Sequence, residues 1–457
     1  MGKEYSRNKF TFGLGTIGRD MVYTMISMFM MFYLTDVLQV SNTMLAWLTG
    51  IILFCRVFDA VNDPIMGAIV DNTKTKWGKF KPWIAFGAVT SGIFTVLLFT
   101  DFGFENANFI ICFGLTYVFW EITFTTNDIS YWSMMPNLST DQKEREKIGA
   151  IARICANVGL FVVVAGIDPI TKAIGAAMGG DMKKGYFIFA VIVVLMMWLG
   201  QCVTLFGVKE PQIFKNEEHT SLKGMMTAIF KNDQLLVTAV SMSLFMIGYC
   251  TTTSFGLHFF KYAYGDEGMY SIFAVVLGVS QIAALAVFPI FSRLFSRRKL
   301  YTAATLLVVL GYVIFFFSPY NMLYIGAAGV LIFVGQAFIQ LLMLMFLTDT
   351  IEYGQWKLHK RNDAVSFALQ PFINKLGGAV ASGIVGVTLI ISGINDAASK
   401  ADVTPEGQLI LKTSMLLLPI IFIVAGFAVY WFKFKIDEKM YAKIISELKE
   451  RGEIRAD

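Results

Sequence analysis

Twelve long apolar stretches, separated by short charged or Gly/Pro-rich breaks, most constrain what this chain can fold into. They cover residues 10–38, 43–71, 82–101, 107–136, 148–176, 184–208, 233–263, 269–294, 299–318, 321–350, 364–393 and 408–434. A helix needs about 20 mostly apolar residues to cross a bilayer, so each stretch is predicted to span a membrane. Several exceed that minimum and are expected to be tilted or broken. Composition leaves no soluble alternative: 56% of the 457 residues are apolar and 16% charged, too little polar surface to clothe a globule in water.

Lys and Arg between the spans give the orientation, because cytoplasmic loops are enriched in them. The loops after the even-numbered spans hold Lys74, Lys76, Lys79 and Lys81, then Lys143, Arg145 and Lys147, then Lys209 to Lys231, then Arg293 to Lys299, then Lys357 to Arg361. The loops after odd-numbered spans hold only Lys183, Lys184, Lys261, Lys400 and Lys412. Both termini are therefore expected in the cytoplasm. The longest polar break falls midway and divides the chain into an N-terminal six-helix bundle (1–208), a cytoplasmic middle loop (209–232), a C-terminal six-helix bundle (233–434) and a cytoplasmic tail (435–457) read as a short amphipathic helix. A basic loop recurs after the second span of each half, Asp71 to Lys81 and Ser292 to Lys299, as in a repeat. The expected fold is an all-α membrane protein of twelve transmembrane helices in two pseudo-symmetric bundles, the major facilitator arrangement, with substrate bound between the halves.

Other function classes fail on the same residues. The net charge of +5 is spread over short loops rather than one patch, so nucleic acid is not an expected partner. Cys55, Cys112, Cys155, Cys202 and Cys250 lie in apolar runs without metal spacing, and His219, His258 and His359 form no paired motif. No nucleophile-and-base constellation marks an enzyme, and no cofactor is expected. The first apolar run contains Arg19 and Asp20 and lacks a cleavage site, so no signal peptide is read. The charges cluster in one half, unlike the pore rings of a channel.

An ionisable group inside a spanning helix costs about 2.5–3.5 kcal/mol on insertion scales, so each calls for a partner or a purpose. The N-terminal half holds Asp20, Arg56, Asp59, Asp63, Asp128 and Arg153; the C-terminal half holds mainly Lys375. In Arg56-Val57-Phe58-Asp59-Ala60-Val61-Asn62-Asp63-Pro64, spacings of three and four bring Arg56, Asp59, Asn62 and Asp63 onto adjoining parts of one helix face. Two carboxylates so placed require a proton or a cation between them. Oxygen ligands from Asp59, Asp63 and Asn62, with a hydroxyl such as Thr125, suit a hard ion, and the amide favours Na+ over a proton. Asp128 lies four residues before Trp132 on one face of the fourth span. A carboxylate accepts sugar hydroxyls and an indole stacks on the apolar face of a pyranose, so this pair suits a carbohydrate. Arg56 and Arg153 can equally pair with these acids and serve only to hold the bundle.

The segments Gly18-Arg19-Asp20, Arg56 to Gly67, Trp77 to Trp83, Asp128 to Pro136, Tyr353-Gly354 and Phe372 to Gly378 resemble those of the glycoside-pentoside-hexuronide:cation symporters, along the whole chain. The resemblance implies import of a glycoside-type sugar (a galactoside, a xyloside or other pentoside, or a hexuronide) in symport with Na+, H+ or Li+ by alternating access. It implies cation binding by Asp59, Asn62, Asp63 and Thr125, with Na+ held by the two carboxylates. It places sugar-binding roles on Asp20, Asp128, Trp132 and Arg153, with Arg19 where the family's melibiose-type carriers have lysine, and on Lys375. Gln340 stands where those carriers have a tryptophan lining the sugar cavity. A protein of this kind is expected in the bacterial cytoplasmic membrane, in contact with lipid and working as a monomer. The competing readings are a related carrier of another amphiphile, such as a lysolipid, and a non-transporting membrane sensor. The loop residues Lys79, Lys81, Asp141, Arg145 and Arg361 are candidates for ion pairs between the two halves that hold the outward state.

Overall fold

The computed structural model describes residues 2–209, 227, 230–266, 268–359, 361–394, 397 and 399–454, without the side chains of residues 2–6, 35, 36, 42, 56, 57 and 59–61. Most of the predicted middle loop lies outside the described residues. Those residues form fourteen α-helices and no strand: α1 Gly2–Phe32, α2 Asn42–Asp71, α3 Lys81–Leu98, α4 Asn106–Met134, α5 Gln142–Ala177, α6 Met182–Gly207, α7 Asp233–Phe259, α8 Met269–Leu294, α9 Arg297–Phe317, α10 Met322–Leu358, α11 Asp363–Phe367, α12 Leu369–Ile391, α13 Pro405–Lys433 and α14 Glu438–Glu450. Every predicted span falls on helix, the eleventh on two. Ten are long and apolar enough to cross a membrane among the described residues.

Short polar side chains start these helices. Ser41, Asp141, Asp181, Asn232, Ser296, Asn321, Thr404 and Asp437 each accept a hydrogen bond from a backbone N–H in the first turn of the helix that follows. Each such cap stabilises its helix by about 1 kcal/mol. Where a helix ends differs from the hydropathy reading. α1 starts at Gly2 rather than residue 10, α5 at Gln142 rather than 148, and α10 runs to Leu358 rather than 350. Hydropathy marks where lipid stops. The hydrogen-bond ladder continues beyond it through residues such as Lys, Glu and Gln that are good helix formers in water. The eleventh span is split, α11 ending at Phe367 and α12 starting at Leu369. Pro371 has no N–H to give the carbonyl of Phe367 four residues earlier, so the ladder is interrupted there.

Contacts group the chain into two units, one built on residues 2–209 with Asn362–Ala368, the other on 230–361 and 369–452. In the first, α1 packs on α5 and α6, α3 and α2 on α4, and the short α11 on α2 and α4. Its core is rich in Met and aromatics: Met21, Met25, Ile26 and Met30 of α1 pack with Trp120, Phe189 and Val193, and Tyr33, Phe99 and Tyr186 form an aromatic knot. In the second, α7 packs on α12 and α13, and α10 on α8 and α9. Tyr301, Phe346 and Tyr430 form its aromatic centre.

The loop charges are ordered within each unit. Lys79 bridges Asp71 at 2.8 Å and Asp363 at 3.4 Å, and Asp71 also accepts the Ala364 and Val365 N–H groups at the first turn of α11. A Cβ on Gly67 would lie 2.9 Å from Ala364 O and Val365 Cα, so α2 and α11 meet backbone to backbone. Lys81 donates to Val208 O, Arg145 to the carbonyls of Ser139 and Pro136, and Asp141 caps α5. In the second unit Arg361 pairs with Glu352 and Arg297 with Asp349. The tail helix α14 buries Tyr441, Ile444 and Leu448; Trp356 Nε1 donates to its Glu447 at 2.6 Å.

Candidate functional site

The charged centre of the first unit is built on α1 and α4. A Cβ on Gly18 would lie 2.3 Å from the Met197 backbone, so the absence of a side chain lets α1 press against α6. Gln201 of α6 donates to Gly15 O, while Asn127 of α4 donates to Gln201 and to Ile84 O. These amide bonds tie α1, α3, α4 and α6 together behind the site and set the register in which Arg19 meets α4.

Arg19 is 3% exposed. Its Nη1 donates to Asp128 Oδ1 at 2.7 Å and its Nη2 to Asp20 Oδ2 at 3.0 Å. One guanidinium thus serves two carboxylates, and its planar fork is the group suited to such a bridge. The same guanidinium lies 5.0 Å from the Tyr131 ring centre and 5.1 Å from that of Trp132, and Arg153 lies 5.0 Å from the Trp132 indole. All three contacts are within cation–π range. Tyr131 is held in turn: its hydroxyl donates to Phe12 O and sits 3.2 Å from Thr204 Oγ1, and its ring stacks on Phe12 at 4.7 Å. Asp20 and Asp128 remain about a quarter exposed. A carboxylate has about four lone-pair positions, so the bond to Arg19 leaves each able to accept hydroxyl groups of a ligand.

The predicted site residues fall in three places. Arg19, Asp20, Asp128, Trp132 and Arg153 are brought into one cluster. Asn62 and Asp63 are buried on α2 and Thr125 on α4, two helices that pack against each other; Asn62 Nδ2 has no hydrogen-bond partner. The side chains of Asp59 and Arg56 lie outside the described residues. Among the described residues no three His, Cys, Asp or Glu side chains gather as a metal site. Lys375 on α12 and Gln340 on α10, both half-buried, belong to the second unit.

Three features escaped the sequence reading. Tyr131 and Phe12, which wall the Arg19 guanidinium and the indole, look like ordinary core aromatics in sequence. Glu121 is a half-buried carboxyl group on α4, one turn before Thr125; its charge inside the fourth span was the available signal. The Asp71–Lys79–Asp363 cluster joins residues nearly 300 positions apart, and no local pattern marks that pairing.

Residues 11–438 match the family described as MFS/sugar transport protein. The chain is 30% identical to a lactose permease of Leuconostoc lactis, with 98% of this chain and 73% of that protein covered. It is also 30% identical to a raffinose carrier protein of Pediococcus pentosaceus, over 98% and 72%, and 23% identical to an isoprimeverose transporter of Lactiplantibacillus pentosus, over 95% and 90%. Among solved structures, the major facilitator superfamily transporter FucP in the outward conformation superposes with a TM-score of 0.67 at 12% identity, over 94% of this chain and 99% of that one, a likeness of fold. A family match over nearly the whole chain, on helices arranged as in major facilitator transporters, makes this chain a member of the glycoside-pentoside-hexuronide:cation symporter family of the major facilitator superfamily, a multi-pass membrane sugar transporter and not an enzyme.

Proposed function

We propose that this protein imports a galactose-containing glycoside across the bacterial cytoplasmic membrane together with Na+, both termini facing the cytoplasm and the single chain sufficing for transport. The observation that carries the reading is the Arg19 guanidinium bridging Asp20 and Asp128 beside the Trp132 indole. It combines charge-assisted hydroxyl acceptors with an aromatic face, the two things needed to hold a pyranose. The relatives at 30% identity are named for lactose and raffinose, which favours a galactoside over a pentoside or hexuronide.

In this mechanism the sugar hydroxyls take up the carboxylate lone pairs that Arg19 leaves, with Arg153 and Lys375 as further donors. Gln340 supplies an amide where a tryptophan would supply a ring. The cation is cargo, held by Asp59, Asn62, Asp63 and Thr125, with H+ or Li+ as its competitors for the same oxygens. Neutralising Asp59 and Asp63 removes their mutual repulsion and draws α2 and α4 into the arrangement that binds sugar. Linkage then requires sugar to tighten the cation by the same factor. Alternating access would expose the loaded site to each side of the membrane in turn.

Calorimetry on the purified protein tests this with an α-galactoside, a β-galactoside, a β-xyloside and a β-glucuronide, each with and without Na+, beside an Asp59→Cys variant. A galactoside that binds more tightly with Na+, and loses that gain in the variant, is the expected result. Binding that ignores Na+ but follows pH would replace sodium by protons. If only a lysophospholipid binds, the sugar reading is lost.

A further inference from the structure

We infer that the second unit carries a binding site for the phosphate of an anionic phospholipid, formed by Lys400 and Lys412 around the Tyr320 ring. Lys400 Nζ lies 4.8 Å from the ring centre of Tyr320 and donates to Tyr264 O at 3.1 Å. Lys412 Nζ lies 5.1 Å from the same ring and 5.5 Å from that of Phe316. Two ammonium groups thus converge on one aromatic ring, and neither has a carboxylate partner among the described residues. Of the nearby acids, Asp402 accepts from the Ser399 N–H and hydroxyl, Asp266 accepts from Gly268 N, and Glu406 lies exposed in the first turn of α13. Like charges brought together in this way are stabilised by an anion between them.

The lysines are placed rather than loosely tethered. Gly265 has a φ of +96°, and a Cβ there would lie 2.8 Å from Lys400 Cδ. Only glycine gives that turn and leaves room for the Lys400 stem to cross it. Lys412 sits two turns inside the spanning helix α13 and is half-buried, so its stem lies along apolar surface while the ammonium reaches toward the helix end. The surroundings belong to lipid: Phe317, Leu323, Tyr324 and Leu409 are exposed, and an aromatic and aliphatic rim of this kind marks the headgroup layer of a membrane. The cluster lies at the end of α9 opposite Arg297, which the basic-loop orientation assigns to the outer leaflet. A phosphodiester meets both lysines there while its acyl chains lie on the apolar rim. A headgroup without an amine is preferred, since an added ammonium would repel both lysines.

Native mass spectrometry of the full chain, released from membranes containing equal phosphatidylglycerol and phosphatidylcholine, tests the site. Attraction of about 1 kcal/mol per lysine near a membrane surface corresponds to a loss of phosphatidylglycerol retention of about 5-fold in Lys400→Gln and about 25-fold in Lys400→Gln/Lys412→Gln. Lys183→Gln serves as the control and retains wild-type binding. Lys412→Arg keeps the charge and preserves retention, which separates recognition from misfolding. Equal retention by wild type and double variant overturns the inference. Displacement of the lipid by millimolar inorganic phosphate overturns it too, by making this a site for a soluble anion.

Discussion

The two units are both all-helical and both membrane-spanning, yet their interiors are chemically different. The first buries charge: Arg19 between Asp20 and Asp128, Asp63 on α2, Arg153 against Trp132. The second buries the ion pairs Arg297–Asp349 and Arg361–Glu352 toward the start of α9 and the end of α10, and joins α7, α9, α10 and α13 with neutral groups. Thr252 donates to Met415 O at 3.1 Å and shares a 2.6 Å hydrogen bond with the Tyr312 hydroxyl, which accepts from Gln336 Nε2 at 3.2 Å. Ser241 donates to Gly426 O. Neutral networks hold helices in register at little desolvation cost, whereas buried charges are costly unless paired. The contrast teaches that the first unit keeps groups whose use is chemical, while the second uses polarity to build a frame.

The sharpest way to break that contrast is to unpair the charge. Arg19→Met leaves two carboxylates without their shared partner, and breaking a buried ion pair from one side destabilises by about 3–5 kcal/mol. The thermal midpoint in detergent is expected to fall markedly and sugar binding to vanish; near-wild-type stability would mean that the cluster is no more than decoration. Asp128→Asn is gentler. It keeps the shape and one acceptor but removes the charge, and a hydrogen bond to a charged group is worth about 1.5–3 kcal/mol, so sugar affinity measured by calorimetry should drop about 10- to 100-fold.

The matching change in the frame is Tyr312→Phe. It removes the hydroxyl between Thr252 and Gln336 and is expected to lower stability by about 1 kcal/mol. Uptake of radiolabelled sugar by vesicles should stay near wild type; loss of uptake at unchanged stability would give the second unit's network a chemical role and erase the distinction. The smallest effect lies outside the membrane. The bond from Trp356 Nε1 holds the Glu447 carboxyl below its ordinary range, opposed in part by desolvation and helped by Lys443 and Arg451. A depressed pKa stabilises the folded state above the ordinary carboxyl value, and this contribution is lost as pH falls through the depressed one. Amide exchange in α14 should therefore quicken slightly below about pH 4.5, and Trp356→Phe should weaken that dependence by removing its largest cause.

Much of the fold was legible because lipid imposes one rule, helical backbone wherever water is excluded, and hydropathy reads that rule directly. The helix extensions from Gly2 and to Leu358 were not legible, since they lie where the rule no longer applies. The Arg19–Asp20–Asp128 cluster was half legible: the charges stood out as exceptions inside apolar runs, but nothing local told that one arginine would bridge acids on two helices. Tyr131 was hidden by its likeness to the other aromatics of the chain. The contact of Asp71 with the first turn of α11 depends on chain segments far apart in sequence, which a pass along the chain does not bring together.

α10 has no internal proline, whereas α2, α5, α8 and α13 each contain one. Its 37 residues rise about 55 Å, against an apolar bilayer thickness of about 30 Å. An unbroken rod of that length is a lever: a tilt of about 10° about its middle carries each tip sideways by about 5 Å. Trp356 and the tail helix braced on it ride at the end of that arm, so a motion too small to notice within the bilayer becomes a displacement wider than a side chain at the water's edge.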